Sequence, residues 1–214
     1  MSATKAGRAW LFSNHSPSQI PTGYSSISEQ DCLIAVDGGL DLLESLGRKP
    51  ALVIGDLDSL DTRMIPSGTP ILRYEREKNE TDMELALAWA LDQGYREIII
   101  CNDLGGRFDH ALGLIQNLEL FSSEENNLRI ESRDQVVFML RQHNLLSFPR
   151  GSLLSLIARS SEAKLQSSRG LYYSLEGLTL YPDYSRGISN HFTEDHAVIE
   201  LVSGSILAVL TLFN

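Results

Sequence analysis

The chain has 214 residues, of which 43% are hydrophobic and 21% charged, so it can bury a sizeable core and is not disordered. Its formal net charge of -10 disfavours binding to a nucleic-acid backbone, which requires clustered lysine and arginine. No stretch approaches the roughly 18 uninterrupted apolar residues of a membrane span, and the amino terminus shows no apolar signal core. We therefore expect a globular, cytoplasmic protein of two domains, with neither a nucleic-acid nor a membrane partner.

The first predicted elements alternate strands with a helix. Residues 9–13 and 32–36 are apolar runs typical of strands, and the second runs directly into Asp37-Gly38-Gly39. A short helix follows, because leucines at positions 40, 42, 43 and 46 form one apolar face and Gly47 with Pro50 ends it.

Two carboxylates lie in the loop that follows the next strand. Residues 52–55 form an apolar run that ends at Gly55, and Asp56 and Asp58 follow it. Side chains alternate sides in extended backbone, so Asp56 and Asp58 point the same way and can share a hard cation. Two solvated loop residues are the plainer interpretation of an isolated D-x-D pattern.

A second helix is predicted after a short strand at residues 71–74. Thr81 and Glu84 have the spacing of a capping box, so the helix begins after Thr81 and ends near Gly94. Its apolar residues, Met83, Leu85, Leu87, Ala88, Trp89 and Leu91, predict a largely buried helix. Asp82 lies in the first turn, where the helix dipole alone would favour a carboxylate.

A glycine-rich loop joins the next strand, residues 97–101, to a third helix. Gly105 and Gly106 allow backbone N–H groups to approach an anion closely, and Arg107 and Asp109 follow them. The helix runs through Leu120, with Leu112, Ile115, Leu118 and Phe121 as its predicted buried face. The plainer alternatives are a tight turn at the glycines and, for His110, a structural histidine.

Continuous Val, Ile and Leu runs that alternate with helices indicate a parallel sheet covered on both faces. In such a Rossmann-like α/β domain the ligand-binding loops lie at the carboxyl ends of the strands, where Asp37, Asp56 and Asp58 are found. The two cysteines, Cys32 and Cys101, lie in predicted strands without a C-x-x-C partner. We expect both to be buried free thiols, which suits a reducing compartment.

After residue 127 the pattern changes to short strand-like runs without helices between them. Turn signals such as Pro149-Arg-Gly151 and Ser203-Gly204 separate these runs at close spacing, which predicts a C-terminal antiparallel β-sandwich. The predicted domains are residues 1–127 and 128–214. The predicted strands are residues 128–131, 136–140, 145–148, 153–157, 163–166, 197–202 and 206–212.

Four loops now lie in order in one parallel-sheet domain: Asp37-Gly-Gly39, Gly55-Asp-x-Asp-Ser59, Lys78-x-x-Thr81-Asp82 and Gly105-Gly-Arg-x-Asp-His110. Each loop is weak evidence alone, but their succession resembles the thiamine pyrophosphokinase family. Members of that family transfer the terminal pyrophosphoryl group of ATP to the hydroxyl of thiamine and release AMP. The resemblance covers the whole chain, because the family also has a carboxyl-terminal β-sandwich.

The resemblance implies a role for each matching residue. Asp56, Asp58 and Asp82 would hold Mg²⁺, and Arg107 and Asp109 would join them in catalysis. The residues implied in binding ATP are Asp37, Gly38, Gly39, Ser59, Lys78, Thr81, Gly105, Gly106 and His110. In the second domain Tyr173, Ser189 and Asn190 would bind thiamine.

The sequence departs from the family pattern in three places. Tyr173, in Gly170-Leu-Tyr-Tyr-Ser-Leu175, stands where the family usually has tryptophan, and tyrosine can still stack on a cationic thiazolium. Asn79 replaces the usual aspartate of the Lys-Asp-x-Thr-Asp loop, and Asp103-Leu104 precedes the glycine pair where small residues are common. The alternatives are a pyrophosphokinase for another small alcohol and a catalytically silent nucleotide or thiamine sensor.

A homodimer with active sites shared between chains is also expected. The phosphate and metal loops precede residue 111, whereas the acceptor-type residues follow residue 169, and the two sets must meet. A small sandwich has edge strands that a symmetric copy can cover, and the apolar strand at residues 206–212 is the best candidate for that burial. The family resemblance implies the same arrangement.

Overall fold

The computed structural model describes residues 5–16, 26–56 and 65–212. Its contacts divide the chain into two compact units, Met1–Arg133 and Asp134–Asn214. The first unit combines helices with parallel strands, and the described part of the second unit is built from antiparallel strands. The predicted fold class is therefore confirmed.

The first unit is a parallel sheet with helices between its strands. The strands are β1 (Ala9–Phe12), β2 (Cys32–Val36), β3 (Leu52–Gly55), β4 (Ile71–Arg73), β5 (Glu97–Cys101) and β6 (Asn127–Glu131). They lie in the order β6-β5-β1-β2-β3-β4, and every neighbouring pair is parallel. The helices are α1 (Leu40–Ser45), α2 (Asp82–Asp92) and α3 (Phe108–Phe121).

The central strands are buried on both faces. Trp10, Ile34 and Ile99 have no exposed surface, although they lie on three different strands. Continuous apolar runs, without polar alternation, are what a sheet covered on both faces requires. Burial of each such side chain contributes roughly 1.5–3 kcal/mol. This packing fixes the strand ends, and with them the loops that carry the candidate site.

The faces that the helices bury differ in part from the prediction. In α3 the buried residues are Ala111, Leu114, Asn117 and Leu118, so of the predicted stripe only Leu118 is buried and Leu112 is exposed. In α2 the buried residues are Met83, Ala86, Leu87 and Ala90, while Ala88 is exposed and Leu85, Trp89 and Leu91 are half-buried. Small alanines lie on the buried faces of both helices. A prediction based on the large apolar residues therefore placed part of each buried face incorrectly.

The described part of the second unit contains two antiparallel sheets. One has the order β7-β14-β9-β12 and the other β11-β10-β13-β8. The strands are β7 (Gln135–Met139), β8 (His143–Ser147), β9 (Leu153–Ala158), β10 (Ala163–Arg169), β11 (Thr179–Leu180), β12 (Asn190–His191), β13 (His196–Ser203) and β14 (Ile206–Thr211). Sequence analysis missed β11 and β12, because two residues are too few to show an alternating pattern.

The division between the units falls after Arg133, not after residue 127. Strand β6 pairs in parallel with β5 and therefore belongs to the first unit, although its apolar run was assigned to the strand-rich half. A short run flanked by a polar break looks the same whether its partner is parallel or antiparallel, so the sequence pattern could not place it.

Cys32 and Cys101 are both buried and free, as the sequence predicts. Burial raises the pKa of each thiol, to about 12 for Cys101. Within residues 5–16, 26–56 and 65–212 there is no helix with the length and apolar character needed to cross a membrane.

The capping box at the start of α2 gives the first testable prediction. The Thr81 hydroxyl accepts a hydrogen bond from the Glu84 N–H (3.2 Å), and the Glu84 carboxylate accepts one from the Thr81 N–H (2.6 Å). We expect Thr81→Ala to lower the free energy of unfolding by about 1 kcal/mol in urea titrations. Thr81→Ser keeps the hydroxyl and should retain most of the stability of the parent. Equal losses in the two variants would contradict a role for the hydroxyl.

Candidate functional site

Acidic residues converge at the carboxyl edge of the parallel sheet. Asp37 follows β2, Asp56 follows β3, and Asp82 begins α2. The charges of Asp82 and Asp56 both act on the Asp37 carboxyl, and a hydrogen bond with the Asp82 side chain adds to their effect. The edge that the sequence analysis selected is therefore the one where negative charge accumulates.

Asp37 occupies a strained and desolvated position. Its φ of 47° lies in the left-handed region, which is uncommon for residues other than glycine. Its Oδ1 is buried and has no hydrogen-bond partner within the part of the chain that the structure describes. Burial and the charges of Asp82 and Asp56 raise the pKa of Asp37 to about 7. A bound cation would relieve both the repulsion and the missing contact.

Glycines allow the chain to pack around Asp37. A Cβ atom at Gly55 would overlap the Asp37 Oδ1, and the Gly55 φ of 153° also disfavours other residues. A Cβ at Gly38 would overlap the Asn14 side chain, and one at Gly39 the Phe12 carbonyl oxygen. Close packing against backbone therefore accounts for Gly39, whereas at Gly38 the neighbour is an exposed side chain that can move.

Lys78 supplies a positive charge beside these carboxylates. Its Nζ lies 2.7 Å from the Asp82 Oδ1, and the two side chains are only 15% and 17% exposed. The same Nζ lies 5.8 Å from the centre of the Tyr74 ring, within the range of a cation–π contact. The Lys78 ammonium group can pair with Asp82 or with an anionic ligand at this edge.

Part of the predicted metal site cannot be placed, because Asp58 and Ser59 lie outside the described residues. Among the residues that are described, no three His, Cys, Asp or Glu side chains are arranged to hold a metal ion. The set Asp56, Asp58 and Asp82 therefore stays a prediction. The residues present fit a hard cation, because two further carboxylates act on Asp37, whose Oδ1 is buried and unpaired among the described residues.

The loop after β5 places its predicted residues in solvent. Arg107 forms a bidentate pair with Asp109, with distances of 3.1 Å and 2.5 Å between the hydrogen-bonded atoms, and both side chains are exposed. His110 is exposed as well, and its N–H donates to the Asp109 Oδ1. No atom of the described chain would contact a Cβ at Gly105, so that backbone is open to a ligand. In this structure Arg107 is paired with a neighbour on its own loop.

Sequence analysis missed Asn102, which joins the loops after β1 and β5. Its Nδ2 donates to the Ser13 Oγ (3.0 Å) and to the Asn14 carbonyl (2.8 Å), while its Oδ1 accepts from the Leu104 N–H (2.7 Å). The residue is only 5% exposed. The available signal was a polar side chain directly after an otherwise apolar buried strand, which calls for partners inside the protein.

Asp103, which departs from the family pattern, is also structural. Its N–H donates to the His15 carbonyl at 2.9 Å. Its carboxylate accepts from the Arg133 N–H (3.0 Å) and the Arg133 guanidinium (3.3 Å). Asp103 therefore fixes the start of the glycine loop by contacts on both sides.

In the second unit Asn190 holds the backbone of Tyr173. The Asn190 Oδ1 accepts from the Tyr173 N–H (3.0 Å) and the His191 N–H (2.9 Å), and its Nδ2 donates to the Tyr173 carbonyl (2.8 Å). Asn190 is only 4% exposed. Its amide is thus committed to the protein, and it positions Tyr173. Ser189 is exposed, with a φ of 61°, and its N–H donates to the Ser155 Oγ.

Aromatic rings form an exposed platform next to the hydrogen bonds of Asn190. Tyr172 and Tyr173 are each 61% exposed, and their rings meet edge to face with centres 4.9 Å apart. Tyr172 also stacks on His191, with centres 4.6 Å apart and planes within 20°. Neither tyrosine is in the core, so burial does not explain these rings. The platform has the chemistry to bind a flat or cationic ligand.

Comparison with known proteins points to one family. The family model "Thiamin pyrophosphokinase, catalytic domain" matches residues 24–131, about half of the chain. The thiamine pyrophosphokinase of Bacillus subtilis is 29% identical over 202 residues, which cover 88% of this chain and 90% of that protein. Thiamin pyrophosphokinase 1 of Caenorhabditis elegans is 23% identical, with 82% and 77% covered.

Solved structures agree on the fold. A crystal structure of the Bacillus subtilis thiamine pyrophosphokinase matches with a TM-score of 0.83 at 24% identity, over 97% of this chain and 100% of that one. Thiamin pyrophosphokinase from Candida albicans matches with a TM-score of 0.77 at 16% identity, over 97% and 89%. At these identities the structural likeness supports the architecture alone.

The raised pKa of Asp37 predicts a pH dependence of stability. Between its ordinary pKa of 3.8 and about 7, the folded chain retains a proton that the unfolded chain has lost. The free energy of unfolding therefore falls as the pH rises through this window and levels off above it. Asp37→Asn removes this pH-dependent loss of stability, because asparagine does not titrate, and asparagine also tolerates the left-handed backbone. We therefore expect the difference in melting temperature between the variant and the parent to be larger, in favour of the variant, at about pH 8 than at about pH 5.

The measurement is a melting curve in the presence of a chelator, so that no cation compensates the carboxylates. Asp41→Asn, an acid-to-amide change at an exposed position of α1, is the matched control. If Asp37→Asn and Asp41→Asn shift the pH profile equally, Asp37 is not the source of the dependence.

Proposed function

The chain belongs to the thiamin pyrophosphokinase family, and from that membership we propose that it transfers the pyrophosphoryl group of ATP to the hydroxyl of thiamine. The products are thiamine diphosphate and AMP. The observation that carries the proposal is the action of Asp56 and Asp82 on the buried Asp37 carboxyl, at the carboxyl edge of a parallel sheet whose strands other than β1 lie within the matched region. In the reaction the thiamine oxygen bonds to the β-phosphorus of ATP, and the bond from that phosphorus to the AMP oxygen breaks.

A divalent cation, which we propose to be Mg²⁺, completes the acidic edge. Asp56, Asp58 and Asp82 are the proposed ligands, and the buried, unpaired Oδ1 of Asp37 supports a cation at this place. When bound, such an ion neutralises phosphate charge and orients the phosphates for displacement. The protein's part is to keep a carboxylate at this edge in spite of the neighbouring negative charges, and the lack of a side chain at Gly55 leaves the room that Asp37 needs.

The nucleotide phosphates are proposed to lie along the same edge. Lys78 can exchange its Asp82 partner for a phosphate oxygen, because its ammonium group keeps its charge and would pair equally with an anionic ligand at this edge. The open backbone at Gly105 suits close approach of an anion, and Arg107 can turn from Asp109 to the ligand. Thr81, by contrast, is occupied by its capping box, so its contribution is to position Asp82 in the first turn of α2.

The acceptor is proposed to bind on the platform of Tyr172, Tyr173 and His191. Thiamine carries a cationic thiazolium ring, and aromatic faces attract cations. Asn190 holds the Tyr173 backbone, so the point from which the ring projects is fixed before the ligand arrives. Asn190 is thus proposed as a positioning residue, and Tyr173 as the residue that touches the acceptor.

An assay of AMP formation separates this function from its alternatives. Thiamine-dependent AMP supports the thiamine enzyme, AMP formed with another small alcohol supports a different acceptor, and tight ATP binding without AMP supports a sensor. The free, buried thiols of Cys32 and Cys101 suit a reducing compartment, and the cytoplasm is the proposed location.

The acidic pair after β3 gives a prediction for turnover. We expect Asp58→Asn to lower kcat at least about a hundredfold at low millimolar Mg²⁺, because one carboxylate is lost from the proposed metal site. Circular dichroism should show an unchanged fold. Asp92→Asn, at the exposed end of α2, is the matched control and should retain activity. Near-normal turnover in Asp58→Asn would remove this residue from the mechanism.

We further propose a homodimer in which residues of both chains form each active site, as the family resemblance implies. The test mixes Asp58→Asn chains with Tyr173→Ala chains, each impaired alone. Subunit exchange should restore roughly a quarter of the parental sites' activity, because half of the chains pair with the other variant and one site of each mixed dimer is intact. Tyr173 is exposed, so its truncation leaves the fold in place. A mixture that exchanges subunits and stays inactive would place each site within one chain.

A further inference from the structure

A cavity lies at the opposite edge of the parallel sheet from the acidic loops. Its walls come from the segments that lead into three neighbouring strands: residues 27–31 before β2, residues 48–51 before β3 and residues 68–70 before β4. Because these strands are parallel, their amino ends share one edge, and the proposed catalytic loops lie at the other. The cavity has a volume of about 530 Å³, which is within the range of small-molecule sites.

The charges around the cavity favour an anion. Arg48 and Lys49 lie on its wall, and neither pairs with a carboxylate among the described residues; the Lys49 Nζ donates only to the Ser67 carbonyl, at 3.0 Å. Glu29 also lines the cavity and is exposed. Two cations thus face a single available carboxylate, since the other acidic side chain in the wall, Asp31, is already saturated.

Asp31 is saturated because several donors converge on it. The Arg8 guanidinium binds both of its oxygens, at 3.3 and 2.7 Å, and the Arg8 N–H, the Ser28 N–H and the Trp10 indole N–H also donate. The Asp31 side chain is almost fully buried in these contacts. It therefore neither neutralises Arg48 and Lys49 nor attracts a cation to the cavity.

Thr69 is a second and independent sign of a ligand. The residue lines the cavity and is more than nine-tenths buried. Its Oγ1 is buried without a hydrogen-bond partner within the described chain, while its N–H is satisfied by the Pro66 carbonyl. A buried hydroxyl without a partner costs free energy, and a ligand oxygen in the cavity would remove that cost.

Most of the remaining wall is apolar. Ile27, Leu33, Pro50, Ala51 and Pro70 contribute side chains that water solvates poorly. A hydrated inorganic ion alone would leave this surface uncovered. An anion attached to an apolar body would cover it and meet the cations at the same time.

We propose that this cavity binds a small organic anion, with its anionic group between Arg48 and Lys49, a hydrogen bond from Thr69, and its apolar body against Leu33 and Pro50. The site is separate from the proposed pyrophosphoryl transfer, and its occupancy does not depend on that activity. The cavity selects its ligand by charge and by shape. A neutral analogue lacks the ionic contacts, and free phosphate lacks the apolar contacts.

The test is a titration of the ¹⁵N-labelled full chain with phenyl phosphate, followed by amide chemical shifts. We expect saturating shifts at Thr69 and Ala51, and weaker effects there from benzyl alcohol or inorganic phosphate. The double variant Arg48→Gln, Lys49→Gln should lose affinity at least about tenfold, because two charge-assisted contacts are removed. The exposed pair Arg150→Gln, Lys164→Gln changes the net charge equally and should bind as the parent does.

Thr69→Val separates binding from folding. Valine has the same shape without the unpaired hydroxyl, so the melting temperature should stay level or rise while the affinity for phenyl phosphate falls several-fold. Shifts confined to the loops after β2, β3 and β5 would overturn the proposal, because they place the probe at the catalytic edge. Unchanged affinity in the double variant, equal binding of benzyl alcohol, or no saturation by about 10 mM would overturn it as well.

Discussion

The repulsion among carboxylates at the carboxyl edge of the parallel sheet is the constraint on which the candidate site depends. The charges of Asp82 and Asp56 act on Asp37, and burial makes the negative charge of Asp37 harder still to maintain. A sheet of apolar strands can hold them together because its core supplies the stabilisation. The room left by Gly55 and the Lys78–Asp82 pair are features that make this accumulation of negative charge tolerable in the protein without a ligand.

Sequence reasoning located the helices and strands well, but it did not identify the contacts between residues that are far apart in the sequence. The bounds of β2 and β5, and the capping box of Thr81 and Glu84, follow from local patterns, and the structure confirms them. Asn102 and Asn190 went unrecognised as organisers, because their partners lie far along the chain: Ser13 for the first, Tyr173 for the second. A single sequence shows which residues are polar and does not show which distant backbone groups they satisfy.

The same limit explains the misplaced features. The stripe of α3 was assigned from large side chains, whereas Ala111 lies on the buried face. Strand β6 was assigned to the wrong half, because its apolar run carries no mark of its parallel partner β5. The platform of Tyr172, Tyr173 and His191 needed the bridge between residues 171 and 192 to bring its rings together, and no spacing rule predicts that bridge.

The contact between Gly38 and Asn14 has an evolutionary consequence. A Cβ at position 38 would overlap the Asn14 side-chain oxygen, so a larger residue at position 38 requires the Asn14 side chain to move away or to be shorter. The loops after β1 and β2 should therefore covary among relatives. Chains with alanine or serine at position 38 are expected to carry a shorter residue at position 14, and this pair should emerge as coupled in any sufficiently deep alignment of the family.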